Sequence, residues 1–191
     1  MTKEDIIYGR KTWGPILWHL YHTFAIHLVT KKDVEYFALL NNCFGYVLPC
    51  EECKTHYNFI TEKIYTFDDT MNPKDAFYYT YKIHEIINES LDKNNIPYEK
   101  AYQIHKIINN EECLFIVKTI YHNLEYQQLS IFEFDKIIHF FIAFCEIYPD
   151  PIIRKHLKKL VNSSVFQECR RPLKFKQFIL EHFLTLSISL Y

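Results

Sequence analysis

Cys50 and Cys53 are the side chains whose type and spacing most directly suggest a chemistry: two thiols two residues apart, directly after Pro49 and followed by His56. Such a pair can close a redox-active disulfide. At the first turn of a helix its thiols lie near backbone N–H groups and the positive end of the helix dipole, which stabilise a thiolate and lower its pKa. The thiolate is the species that attacks disulfides. The spacing alone is shared by dithiol redox centres, zinc sites and haem attachment, so the surroundings must choose. Haem attachment fails because Lys54, not histidine, follows the second cysteine. A thioredoxin-like setting needs a preceding strand, and Leu39 to Leu48 has too few β-branched residues to be one. Zinc could take Cys43, Cys50, Cys53 and His56, but no second C-x-x-C or H-x-x-H follows, so no metal site is expected.

The elements that must position this pair read as helices. Only 3 Gly stand against 15 Tyr and 16 Phe, which disfavours a turn-rich sheet protein and favours long, aromatic-packed helices. Start signals recur at helical intervals: Pro15 after Thr12, Pro49, Asn72-Pro73, Pro97, Ser130 with Glu133 as a capping box, Asp150-Pro151 and Pro172. Between them Phe77, Tyr81, His84, Asn88 and Leu91 follow at spacings of 4, 3, 4 and 3 and share one helical face. Trp18, Tyr21, His22 and Ala25 share another. The fold class is all-α.

A chain of 191 residues is long enough for one comfortable domain, or a compact one plus a smaller one. With 22 Lys+Arg against 23 Asp+Glu, no global field favours nucleic acid or an anionic membrane, and neither partner is expected. Met1 to Arg10 has charges and no apolar run, so no secretory signal is read there. The apolar tail from Phe183 to Tyr191 is far short of the roughly 20 residues of a membrane span, and a soluble protein is expected. Six cysteines in a chain without a signal read as reduced thiols, ligands or catalytic groups rather than a disulfide framework.

Three ordered motifs surround the cysteine pair. They are Trp13-Gly14-Pro15-Ile16-Leu17-Trp18 leading to His22, then Leu48-Pro49-Cys50-Glu51-Glu52-Cys53 with His56, then His84-Glu85-Ile86-Ile87-Asn88 through Leu91 to Lys93. In these motifs the chain resembles the Erv/ALR family of FAD-linked sulfhydryl oxidases, and in detail the members encoded by large cytoplasmic DNA viruses. The likeness covers about residue 12 to about residue 98. It implies a four-helix bundle with a short fifth helix, noncovalent FAD and a homodimer. It also implies oxidation of protein thiols to disulfides, with electrons passing from Cys50/Cys53 through FAD to dioxygen and hydrogen peroxide as product.

Carried over by position, the resemblance makes Cys50 and Cys53 catalytic, with Cys53 against the isoalloxazine and Cys50 further out. Trp18 and His22 would touch the flavin nucleotide, His84 and Asn88 its adenine and ribose side, and Lys93 a phosphate or ribose group. Gly14, His56 and Leu91 complete the implied cofactor-binding set. Glu85 departs from the family's Asn. Where cellular relatives carry a structural cysteine pair, this chain has Tyr81 and Tyr98, so packing must replace the staple.

Residues 1–105 are therefore expected to form the FAD-binding oxidase domain, and 106–191 a C-terminal helical domain without evident site residues. Cys145, within Phe140-Phe141-Ile142-Ala143-Phe144, reads as buried and inert, and Cys43 as structural. Many family members relay electrons through a second cysteine pair. Here Cys169 is the better candidate, because Arg170 and Arg171 could lower its pKa, with Cys113 behind it. Two readings compete: a zinc-stabilised CxxCxxH domain, and a catalytically idle bundle that binds partners. The basic cluster Arg154, Lys155, Lys158, Lys159, Arg170, Arg171, Lys174 and Lys176 reads as solvated helix faces. The viral likeness implies the host cytoplasm or the virion as location.

Overall fold

Helices form where the start signals fall. The computed structural model describes residues 10–126 and 129–184. The expectations for the stretch before residue 10 and the tail after residue 184 lie outside them. Among the described residues there is no strand, and the all-α expectation holds.

Helix α1 spans Arg10–Ile26, so Pro15 sits inside it rather than opening it. A proline there forgoes the backbone bond to the Lys11 carbonyl one turn back. Helix α2, Lys31–Phe44, opens on a Thr30/Asp33 capping box and runs into a 3-10 turn, Gly45–Val47. Helix α3, Glu51–Phe59, starts after Pro49 as expected, with Cys50 itself as the extended N-cap residue. A widened π turn, Ile60–Ile64, ends it. Asn72 and Pro73 start the 3-10 turn that leads into α4, Ala76–Ser90. That helix stops at Asp92, whose φ of 53° is left-handed, and the Lys93 N–H donates to the Asn88 carbonyl at 2.9 Å. The reversal places Lys93 beside the last turn of α4.

Helix α5, Tyr98–His105, follows Pro97, and α6 spans Asn110–Tyr126. Helix α7, Ile131–Glu146, opens on the expected Ser130/Glu133 capping box. Helices α8 (Pro151–Val161), α9 (Ser164–Gln167) and α10 (Pro172–Ile179) follow, and a π turn, Leu180–Leu184, ends the described chain.

The core joins the two halves of the sequence. Phe24 of α1 packs on Phe144 of α7 with centroids 5.3 Å apart, and Phe44 of α2 meets Phe140 at 6.1 Å. On its other face α7 presents Phe141 to Phe166, Phe175, Phe178 and Phe183. A helix buried on both sides is apolar all round, which explains the run from Phe140 to Cys145. Each fully buried Phe contributes about 1.5–3 kcal/mol of transfer free energy. Ion pairs cross the same seam, Arg154 to Asp33 and Lys54 to Glu133. In place of a disulfide staple, Tyr81 packs edge-on against Tyr98 at 5.2 Å, and its hydroxyl donates to the Ile96 carbonyl at 2.8 Å.

Candidate functional site

A cavity of about 860 Å³ opens between the start of α1, the first turns of α3, the last turns of α4 and the end of α5. Gly14, Trp18, Cys53, His56, His84, Asn88, Leu91 and Lys93 all line it. Cys50 and His22, the remaining residues of the set drawn from the motifs, do not. Gly14 offers an open approach, since a Cβ there would meet nothing within 4 Å.

Cys50 and Cys53 form a disulfide with Cα atoms 5.2 Å apart. The Cys50 sulfur also accepts the Cys53 N–H at 3.3 Å, so the outer cysteine caps the helix that carries the inner one. Cys53, a turn further in, faces the cavity. Lys54, one helical turn after Cys50, bonds Glu133 at the start of α7 and lies 3.4 Å from Glu51. That contact fastens the redox helix to the C-terminal half. The bond from Lys54, joined by those from Ser130, holds the Glu133 carboxyl down to about 2.

Opposite the disulfide, Trp18 lies flat on His84, with centroids 4.0 Å apart and planes 4° apart. His22 stands behind this pair: its Nε2 is 3.0 Å from His84 Nδ1, and its Nδ1 is 2.8 Å from the Thr80 hydroxyl. The His105 ring centroid lies 4.5 Å from that of His22, and His105 Nδ1 is 2.9 Å from His19 Nδ1. His19 in turn faces Glu112 of α6 at 3.6 Å. Burial pushes His22 well below the usual imidazole range. Burial, with the charge of Lys93, brings His84 to about 4, and burial, with His19 and His84, brings His105 to about 4. At neutral pH these rings are uncharged, each with one donor and one acceptor nitrogen.

The floor of the cavity is set by Tyr57. Its hydroxyl donates to Asn41 Oδ1 at 2.8 Å, and the Tyr21 hydroxyl donates to the same oxygen. At the α4 end the Asn88 amide donates to Asn95 Oδ1 at 2.9 Å.

Sequence reasoning missed several lining residues, among them Glu52, Tyr57, Ile96, Ile104 and His105. Tyr57 and Glu52 follow from the helix that carries the cysteines. His105 sits beyond the third motif, and no spacing points to it. The remaining cysteines are buried free thiols. Burial lifts Cys43 to about 11 and Cys113 to about 12, and raises Cys145 well above the usual thiol range. For Cys169 the structure contradicts the expected lowering. Its thiol is buried and donates to the Val165 carbonyl at 3.3 Å, and burial raises its pKa despite the adjacent arginines. The basic cluster is partly turned inward, with Arg154 on Asp33 and Lys158 on Glu146 at 2.8 Å. No helix of the described residues is long and apolar enough to cross a membrane, and no three metal-ligating side chains converge among them.

Known proteins resemble the part of the chain that builds this cavity. The FAD-linked sulfhydryl oxidase of African swine fever virus (isolate Tick/Malawi/Lil 20-1/1983) is 29% identical over 107 residues, 52% of this chain and 87% of that protein. The protein of the same name from isolate Pig/Kenya/KEN-50/1950 is 28% identical over 99 residues, 49% of this chain and 80% of that one. A relative from Frog virus 3 is 26% identical over 109 residues, 53% of this chain and 71% of its own length. No solved structure matches the chain significantly. The Erv1/Alr family model matches residues 15–107. Those residues carry the cysteine pair and all but the first two lining positions of the cavity, and over them the chain is similar to the Erv1/Alr family.

Proposed function

We propose that this chain is an FAD-dependent thiol oxidase that makes protein disulfides. The observation that carries the proposal is the asymmetry of the Cys50–Cys53 disulfide: Cys53 lines a large aromatic-walled cavity and Cys50 does not. The cavity suits a flavin dinucleotide. Its volume of about 860 Å³ lies within the range of small-molecule sites. Its wall combines flat apolar rings with the cation of Lys93 and the polar side chains of His56, His84 and Asn88. Trp18, His84, Asn88, Leu91 and Lys93 would hold the cofactor, with Gly14 and His56 at its edges and His22 supporting His84. Bound there, FAD would supply the two-electron redox chemistry that links the reduced cysteine pair to dioxygen, with hydrogen peroxide as product.

The chain's own residues carry out the exchange. A substrate thiolate attacks the Cys50 sulfur, forming a substrate–Cys50 bond and breaking the Cys50–Cys53 bond, so that Cys53 leaves as a thiolate. A second substrate thiolate then attacks the substrate sulfur of that mixed disulfide, and Cys50 leaves as a thiolate. The substrate has gained one disulfide and the pair is reduced. Both thiolates lie in the first turn of α3, where the N-terminal dipole stabilises negative charge.

The same reading makes residues 1–105 the catalytic domain and 106–191 a helical addition. It expects a homodimer acting on thiol-bearing proteins in the host cytoplasm or virion, without nucleic-acid or membrane partners. Oxygen uptake by the purified protein with a dithiol is the test. Uptake is expected from the wild type and not from Cys53→Ala. Normal turnover by Cys53→Ala would sink the proposal, and the solution mass of the same sample decides the dimer.

A further inference from the structure

Thr80 is fully buried on α4, one turn before His84, and belongs to none of the three motifs. Its hydroxyl carries one proton and two lone pairs. At 2.9 Å it donates that proton to the Phe77 carbonyl, the local back-bond that threonine makes within helices. The other polar contact of the hydroxyl is His22 Nδ1 at 2.8 Å. With its proton already committed, the hydroxyl can only accept from His22, so the imidazole carries its proton on Nδ1. A neutral imidazole protonated there presents a lone pair on Nε2. The partner of that lone pair is His84 Nδ1 at 3.0 Å, which must then be the donor. His84, a neutral ring with its proton on Nδ1, is left with a bare lone pair on Nε2.

We infer that Thr80 is a positioning residue: acting through His22, it fixes His84 as a hydrogen-bond acceptor toward the cavity, so that the site takes a ligand donor, an amine or hydroxyl, at that point. The inference rests on the FAD reading for the identity of the ligand, but not for the proton order.

The environment favours the same order. Lys93 lines the cavity with His84, and its charge acts on that ring. An Nε2–H would add a second positive pole beside the ammonium, whereas a lone pair meets it favourably. Trp18 covers one face of the His84 ring, so the ring cannot reorient without breaking a stack at 4.0 Å. Phosphate and carbonyl oxygens, which only accept, are excluded from that position. The phosphates are left to Lys93.

Thr80→Val is nearly isosteric and removes the hydroxyl alone. His22 then has no acceptor for an Nδ1 proton in a buried setting, and the less costly arrangement moves its proton to Nε2. That forces His84 to accept at Nδ1 and to carry its own proton on Nε2, toward the cavity. Thr80→Ser restores the hydroxyl.

The experiment is nitrogen-15 NMR of the histidine tautomers in the full-length protein, with an FAD titration of the same samples. In the wild type and in Thr80→Ser both His22 and His84 are expected with the proton on Nδ1. In Thr80→Val both are expected with the proton on Nε2, and FAD is expected to bind about tenfold more weakly, the loss of one hydrogen bond. An Nε2 proton on wild-type His84 overturns the inference. So does a Thr80→Val protein with unchanged tautomers, or one whose tautomers change while FAD affinity stays the same. A wild type with the expected tautomers that binds no FAD instead defeats the proposed function and leaves the proton order standing.

Discussion

Replacing Asn41 by leucine perturbs the polar floor of the cavity at one defined point. Asn41 Oδ1 accepts from both Tyr21 and Tyr57, whose hydroxyls are also 3.1 Å apart. Burial pushes both phenols far above their usual range, so both are proton donors at any working pH. In Asn41→Leu the two hydroxyls can still bond each other, but one proton of the pair is left with nothing better than the main-chain carbonyl at position 41, 3.4 Å from the Tyr57 hydroxyl. One unsatisfied buried donor costs about 1–3 kcal/mol. The expectation is a loss of about 1–3 kcal/mol, read as a lower urea midpoint at unchanged slope. Adding both Tyr21→Phe and Tyr57→Phe to Asn41→Leu removes the whole set of buried donors and recovers most of the loss. A single variant as stable as the wild type, or a triple variant that recovers nothing, would refute the reasoning.

Three further outcomes follow from the same geometry. His84 and His105 are held at about 4 and His22 is also lowered, chiefly by burial, so between about 4 and the unfolded value near 6.5 the unfolded chain binds more protons. The stability they confer is complete above the unfolded value and declines as pH falls toward about 4; a urea midpoint that stays flat across that window contradicts this. A Cβ at Gly45 would sit 2.1 Å from Asn58 Oδ1 on the cysteine helix. Gly45→Ala should therefore cost about 1–3 kcal/mol, and Asn58→Ala should relieve it in a thermal double-mutant cycle; additive effects would count against the contact. Glu133→Gln breaks the partly exposed pair with Lys54 and should cost no more than about 1 kcal/mol, a loss that shrinks as salt is raised.

Local signals carried the helices and the cysteine pair. Pro49, Asn72-Pro73, Pro97, Ser130/Glu133 and Asp150-Pro151 each mark a cap whose chemistry lies within four residues, and each starts an element. Pro15 misleads because Arg10–Ile26 runs through it, giving up one backbone bond to the preceding turn. The face shared by His84, Asn88 and Leu91 was legible from periodicity and lines the cavity. What was not legible joins residues far apart in sequence. Thr80 acquires its role from a ring 58 residues away, and His105 reaches the cavity through the packing of α5 on α1. The placement of α7 against α2 has no local signal beyond a helix that is apolar on all sides. Cys169 shows the converse: adjacent arginines in sequence say nothing about whether the fold buries the thiol.

The central claim is that Cys53 hands the electrons of a substrate dithiol to FAD held in this cavity. Anaerobic mixing of the flavin-loaded full-length protein with dithiothreitol, followed by the flavin absorbance, tests it without oxygen chemistry. The bound flavin should bleach in the wild type and remain oxidised in Cys53→Ser. Bleaching at the same rate in both proteins would contradict the claim.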